Sequence, residues 1–252
     1  MSGWHGGWRV GASGVRHAAK SDSFGTLQQY LTFVFLLCFL SDVKTAVLGF
    51  RAHSGWTALV ALSVSKGAPS VLARQRVHLV ETFIYKFRQP YHTAKRMTPD
   101  EGRAFVARIQ SEARRLAYRA IRDLQGSLQA QGYRLTRFGL VLASGRPLPR
   151  LPQILASHAL IHTADGELFR GALLHAGSRC GLRNVAAKER ELLSEASRSL
   201  RLKPDELTRR IADLGREIGP PWSQDEKSAS LVAWMALAAR PSALTRMDEE
   251  AD

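Results

Sequence analysis

Three apolar, β-branched stretches follow one another with almost no chain between them: Val47-Leu48-Gly49-Phe50, Trp56 to Val64, and Val71 to Val80. Their separators, His53-Ser54-Gly55 and Lys66-Gly67-Ala68-Pro69, carry the residues that turns require. Connections this short join strands that lie side by side and run in opposite directions. The expected opening of the fold is therefore a three-stranded antiparallel meander.

The next segment announces a helix. Thr98-Pro99-Asp100-Glu101 supplies a capping hydroxyl, a proline at the first helical position, acids on the positive helix end and a glutamate three residues after the cap. Phe105, Ile109, Leu116, Ala120, Leu124 and Leu128 continue at helical spacing to a stop at Gly132. Before this helix, Phe83 to Arg96 reads as a basic, aromatic connection in which Pro90 excludes a regular helix or central strand. After it come a strand from Phe138 to Ala143, a helix from Pro152 to Ala176 bent at Gly166, and a strand from Leu182 to Ala187. Closing helices follow at 189–200, from Lys203-Pro204-Asp205-Glu206 to a stop at Gly219-Pro220-Pro221, and from the capping box Ser223-Gln224-Asp225-Glu226 through Trp234.

Three antiparallel strands, then strands alternating with helices, is the element order of an α/β ribonuclease H-like mixed sheet, here with extra C-terminal helices. Leu48-Gly49-Phe50-Arg51, followed by Ser54-Gly55-Trp56-Thr57-Ala58-Leu59-Val60, resembles the first hairpin of Holliday-junction resolvases of that superfamily. Asp225 with Lys227, Ala229, Ala233 and Trp234 resembles their closing helix. The resemblance implies a two-cation nuclease centre in which the first strand contributes an aspartate, but Arg51 stands at that position. A guanidinium ligates no cation, so the resemblance without its aspartate implies a domain that is not a two-metal nuclease.

Composition frames the partners. A formal net charge of +14, from 36 Lys and Arg against 22 Asp and Glu, favours nucleic acid or another polyanion. Residues 1–42 differ from the rest: Gly- and Trp-rich, then apolar from Leu31 to Leu40, a run of ten where a spanning helix needs about 20. They read as a poorly structured or non-native extension, with a secretory or membrane-inserting segment as the alternative. Residues 43–240 are expected to form one domain without a membrane segment, and 241–252 an acidic flexible tail. Two cysteines and no CxxC leave no disulfide framework, and a cytoplasmic setting is expected.

Several constellations carry chemistry. Arg51, His53, Arg88, Lys95, Arg96 and Arg146 are candidate anion or nucleic-acid contacts, the middle three within a segment that interleaves rings and cations as single-strand binders do. Arg146 follows Ser144-Gly145 at the carboxyl end of a strand, where α/β sheets bind ligands. Arg108, Arg115, Arg119 and Arg122 share a helix face, as a phosphate track or a solvated surface. His158, His162 and Asp165 lie four and three residues apart on one helical face, a candidate site for zinc or another transition metal. The alternative to a binding module is a metal-dependent hydrolase in which Asp165, Glu167 and Asp225 are the catalytic candidates and a divalent metal the cofactor. A structural or protein-interaction domain is the third reading. Trp222, after the rigid Pro220-Pro221 corner, is expected to pack over the core.

Overall fold

The chain divides between Asp42 and Val43. The computed structural model describes residues 43–65, 67–143 and 147–239. The extension at 1–42, the acidic tail and Arg146 with its Ser144-Gly145 loop lie outside the described residues.

Strands β1 (Lys44–His53), β2 (Trp56–Ser65) and β3 (Ala68–His78) form the meander, paired Gly49 to Val60 and Val60 to Arg74. Two short helices follow, α1 (Tyr85–Arg88) and α2 (Pro90–Ala94). Pro90 was expected to exclude regular helix, yet it opens α2 from its first turn, where its missing N–H has no partner to lose. The long helix α3 (Pro99–Ala130) carries the complete Thr98–Glu101 capping box.

Strand β4 (Tyr133–Leu142) then pairs parallel to β1, and β5 (Arg183–Lys188) parallel to β4, giving the sheet order β3-β2-β1-β4-β5. Between β4 and β5 lie α4 (Leu151–Leu155) and α5 (His158–Arg179). The helix break falls at Ser157, whose hydroxyl accepts from the Leu160 N–H, and not at Gly166, where α5 continues. A 3₁₀ turn (Glu189–Glu191) leads into α6 (Leu192–Leu200), α7 (Pro204–Ile218) and α8 (Gln224–Ala238). This mixed five-stranded sheet, with an antiparallel meander at one side and β1, β4 and β5 parallel, has the element order expected for a ribonuclease H-like sheet. No described helix is long and apolar enough to cross a membrane.

Side chains alternate across the sheet and separate two cores. Leu48, Phe50, Leu59, Phe138 and Leu140 face α3 and α5, while Val47, Val60, Leu62 and Val141 face α8. The α8 backbone lies directly on two glycines in register, Gly49 of β1 and Gly139 of β4. A Cβ at Gly49 would come within 1.9 Å of the Ala229 carbonyl oxygen, and one at Gly139 within 2.4 Å of that of Val232. Strand glycines are chosen where a second backbone approaches this closely.

The Gly219-Pro220-Pro221 corner is clamped by Arg74, whose guanidinium donates to all three carbonyls. Trp222 then packs over the core as expected, its indole N–H donating to the Ile211 carbonyl at 2.9 Å. Gly215 leaves the room for that ring.

Candidate functional site

The carboxyl ends of β1, β4 and β5 share one edge of the sheet, the place where open α/β sheets bind ligands. On β1 the residues Arg51 and His53 point to the α8 face together with Gly49. Arg51, 15% exposed at its side chain, donates to Glu189 Oε1 at 2.6 Å and to the Ala52 carbonyl at 3.0 Å. Glu189 begins the turn that follows β5. Beside this pair sits a second one, Arg170 to Glu167 at 3.0 Å on α5. Burial lowers the pKa of Arg170, Glu167 opposes that shift, and Arg51 and Glu189 lie near enough to add to it and to oppose it respectively. Asp225, in the first turn of α8, bonds to His53 Nε2 at 2.8 Å.

Each carboxylate at this edge that sequence reasoning singled out, Glu167 and Asp225, therefore has a basic partner, as does Glu189, which it missed. Glu167–Arg170 and Arg51–Glu189 form two adjoining ion pairs with the two arginines as neighbours, not a carboxylate cage. The Arg51 guanidinium is bonded to Glu189 and to the Ala52 carbonyl.

The same face continues past the first turn of α8 onto β2 and β3. Trp56 pairs with His53 across the hairpin and with His78 across the β2–β3 ladder. The His53 and Trp56 rings stack 4.4 Å apart and nearly parallel, at 9°. On the other side the Arg76 guanidinium lies 3.8 Å from the Trp56 ring centroid and 5.8 Å from that of Phe83. Phe83 in turn stacks on His78 at 4.6 Å and carries the Arg88 guanidinium at 4.4 Å.

Arg88 is held to the hairpin. Its Nε donates to the Ser54 carbonyl at 3.3 Å, and its stem occupies the space where a Cβ on Gly55 would stand. Gly55 is thus required twice, by this contact and by its φ of 83°. The result is a ladder of rings and cations, His53, Trp56, Arg76, Phe83 and Arg88, built from the β1–β2 turn, the end of β3 and the connection after it. Arg76 and His78 are exposed, and next to them Ile84 and Tyr85 are 47% and 59% exposed. Among the described residues, neither Arg76 nor Arg88 forms an ion pair with a carboxylate.

Lys95 and Arg96 follow α2 and are exposed. Of the arginine row on α3, Arg115 pairs with Glu81, while Arg108 lies over the rings of Phe87 and Phe105.

A second cluster forms where α2 meets α5. His158 and His162 stand on the first turns of α5 with their Nε2 atoms 3.0 Å apart. The third group beside them is His92 of α2 and not Asp165. Asp165 is buried and turned toward α2: its Oδ1 accepts from the Tyr91 N–H at 2.8 Å, and its Oδ2 meets His92 Nδ1 at 2.5 Å. Burial raises the pKa of Asp165, and the bonds from His92 and Tyr91 oppose that rise. The i, i+4 spacing of the two α5 histidines was legible from the sequence. His92 was not, although a proline opening a helical turn two residues earlier was the available signal.

No family model matches the chain, and no curated protein matches it. Among solved structures it is similar to Thermus thermophilus RuvC in complex with a Holliday junction substrate, at 11% identity and a TM-score of 0.41, covering 76% of this chain and 91% of that one. It is likewise similar to a second Thermus thermophilus RuvC structure, at 13% identity and a TM-score of 0.41, covering 75% of this chain and 92% of that one.

Proposed function

We propose that this chain is a ribonuclease H-like domain that binds single-stranded nucleic acid through the His53–Trp56–Arg76–Phe83–Arg88 ladder and does not cut it. The observation that carries this reading is the stack itself. Arg76 lies over Trp56 and Arg88 over Phe83, on an exposed edge of the sheet, without a carboxylate partner among the described residues. The outer face of a guanidinium held against a ring offers a base a stacking partner whatever its identity, and the same groups pair with the phosphates. A net charge of +14 supplies the long-range attraction.

The non-cutting half of the proposal is supported by Arg51 and by the pairing at the carboxyl edge. Two-metal hydrolysis needs several carboxylates free to hold cations. Here Glu189, Glu167 and Asp225 are each bonded to Arg51, Arg170 and His53 respectively.

The test is a fluorescence-polarisation titration of the full chain against a labelled single strand at rising salt. Phosphate contacts from Arg76, Arg88 and Lys86, an exposed lysine of α1 two residues before Arg88, give a log–log slope of about −2, so affinity falls roughly 16-fold between about 50 and 200 mM salt. Trp56→Ala and Phe83→Ala each weaken binding by about 5- to 100-fold, because each releases the guanidinium on which a base stacks. A sulfated polysaccharide, which has charge but no bases, binds without that dependence on Trp56. Absence of binding at low salt, or strand cleavage with magnesium or manganese, overturns the proposal.

A further inference from the structure

We infer that His92, His158 and His162 form a binding site for a divalent first-row transition metal, zinc above all, braced by Asp165. The sequence offers two imidazoles one helical turn apart, and the fold brings a third from a segment more than sixty residues earlier. One potential ligand atom from each histidine lies within 4.8 Å of the others. The three rings pack edge to face, with centroids 4.4 to 5.4 Å apart. In a tetrahedral zinc site with bonds of about 2.0–2.1 Å, neighbouring nitrogens stand about 3.3 Å apart. The 3.0 Å between His158 Nε2 and His162 Nε2 is near that value, so one ion can be held by both with small ring rotations.

The outer contact argues for a ligand more strongly than proximity does. A carboxylate can only accept, so the 2.5 Å contact makes His92 Nδ1 the donor and leaves Nε2 as the nitrogen available to an ion. Carboxylate–histidine pairs of this kind fix the tautomer and raise the basicity of a metal ligand. Asp165 is itself held by the Tyr91 N–H, so the brace is rigid. A buried aspartate on an otherwise apolar helix face, beside Ile161, Ala164, Leu168 and Phe169, costs stability unless its partners give it a purpose.

Three nitrogen donors with no fourth protein ligand among the described residues, and with His158 and His162 exposed, leave one position of a tetrahedral ion open to water or a small ligand. The ion would also tie α2, and so the aromatic connection before it, to α5. Imidazole without thiolate or free carboxylate selects zinc, copper, nickel or cobalt over magnesium and calcium.

The experiment uses the full chain stripped of metal. Zinc is titrated in competition with a chromophoric chelator, and cobalt(II) is added separately to read the visible bands of a tetrahedral site. One equivalent is expected to bind, with cobalt bands present. His158→Ala and His162→Ala each reduce zinc affinity by at least about tenfold, and Asp165→Asn reduces it by about 10- to 100-fold although it touches no ion. His175→Ala, a histidine farther along α5, leaves the affinity unchanged. Far-UV circular dichroism melts confirm folding, and the exposed His158 and His162 make loss of fold an outcome confined to Asp165→Asn. No stoichiometric binding by the unaltered chain, or binding unaffected by His158→Ala and His162→Ala, overturns the inference.

Discussion

The seating of α8 on Gly49 is the contact on which the fold of this sheet face depends most directly, and Gly49→Ala tests it. The new Cβ would stand 1.9 Å from the Ala229 carbonyl oxygen and 2.8 Å from the Ala233 Cβ. Ordinary contact begins near 3.4 Å, so the helix has to retreat by about 1.5 Å. Neither backbone has a flexible end that can swing away. Retreat loosens the buried contacts of Val232, Ala233 and Ala236 against Val47, Val60 and Val141, an overpacking cost of about 3 kcal/mol. Replacing a strand glycine returns about 0.5–1 kcal/mol of chain entropy. The net loss is about 2–2.5 kcal/mol, or roughly 4–10 °C in Tm for a domain of this size. Urea unfolding followed by circular dichroism reads it as a lowered midpoint at unchanged slope. Because Gly139 lies in register under the same helix, adding Gly139→Ala costs less than it does alone. Gly126→Ala is the opposing control: that glycine is exposed near the C-terminal end of α3 with nothing within 4 Å of a Cβ, so the change stabilises by about 0.5–1 kcal/mol. A Gly49→Ala protein within about 0.5 kcal/mol of the unaltered chain would refute the reasoning.

Other outcomes follow from the same contacts. Replacing Arg76 and Arg88 together by alanine lowers the magnitude of the salt slope for single-strand binding by about 1.4, which polarisation titrations at several salt concentrations detect. Trp222→Phe keeps the ring over Gly215 but removes the donor to Ile211, and chemical denaturation should show a loss of about 1 kcal/mol. Thr98→Ala removes half of the α3 capping box. The Thr98 hydroxyl and backbone N–H hold the Glu101 pKa below its ordinary 4.5, so the stability they lend is present above that pH and lost as pH falls through the lowered value. The difference in Tm between Thr98→Ala and the unaltered chain should therefore narrow on acidification below pH 4.5.

What could be read from the sequence was local. Short turn-rich separators forced the meander, capping boxes marked the starts of α3 and α8, and a proline at the first helical position marked that of α7. Pro90 misled because a proline blocks the interior of a helix but opens one readily, and the following residues had no apolar period long enough to show a helix of five residues. The break falls at Ser157, and not at Gly166, because the Ser157 side chain caps the start of α5 at the Leu160 amide.

The site was illegible where it depended on long-range contact. Arg51 is separated from Glu189 by 138 residues and His53 from Asp225 by 172, so no spacing rule exposes either pair. The ladder was closer to the surface of the sequence. Arg74, Arg76 and His78 alternate along β3, and a hairpin register placing Trp56 opposite His78 would have set Arg76 beside the Trp56 ring.

The most direct test of the central claim is photo-crosslinking of the full chain to a single strand carrying 5-iodouracil, with mass spectrometry to identify the attached residues. Attachment at Trp56, Phe83, His78 or Tyr85 is the predicted result. Crosslinks confined to the arginine face of α3 or to α7, with the ladder untouched, would contradict it.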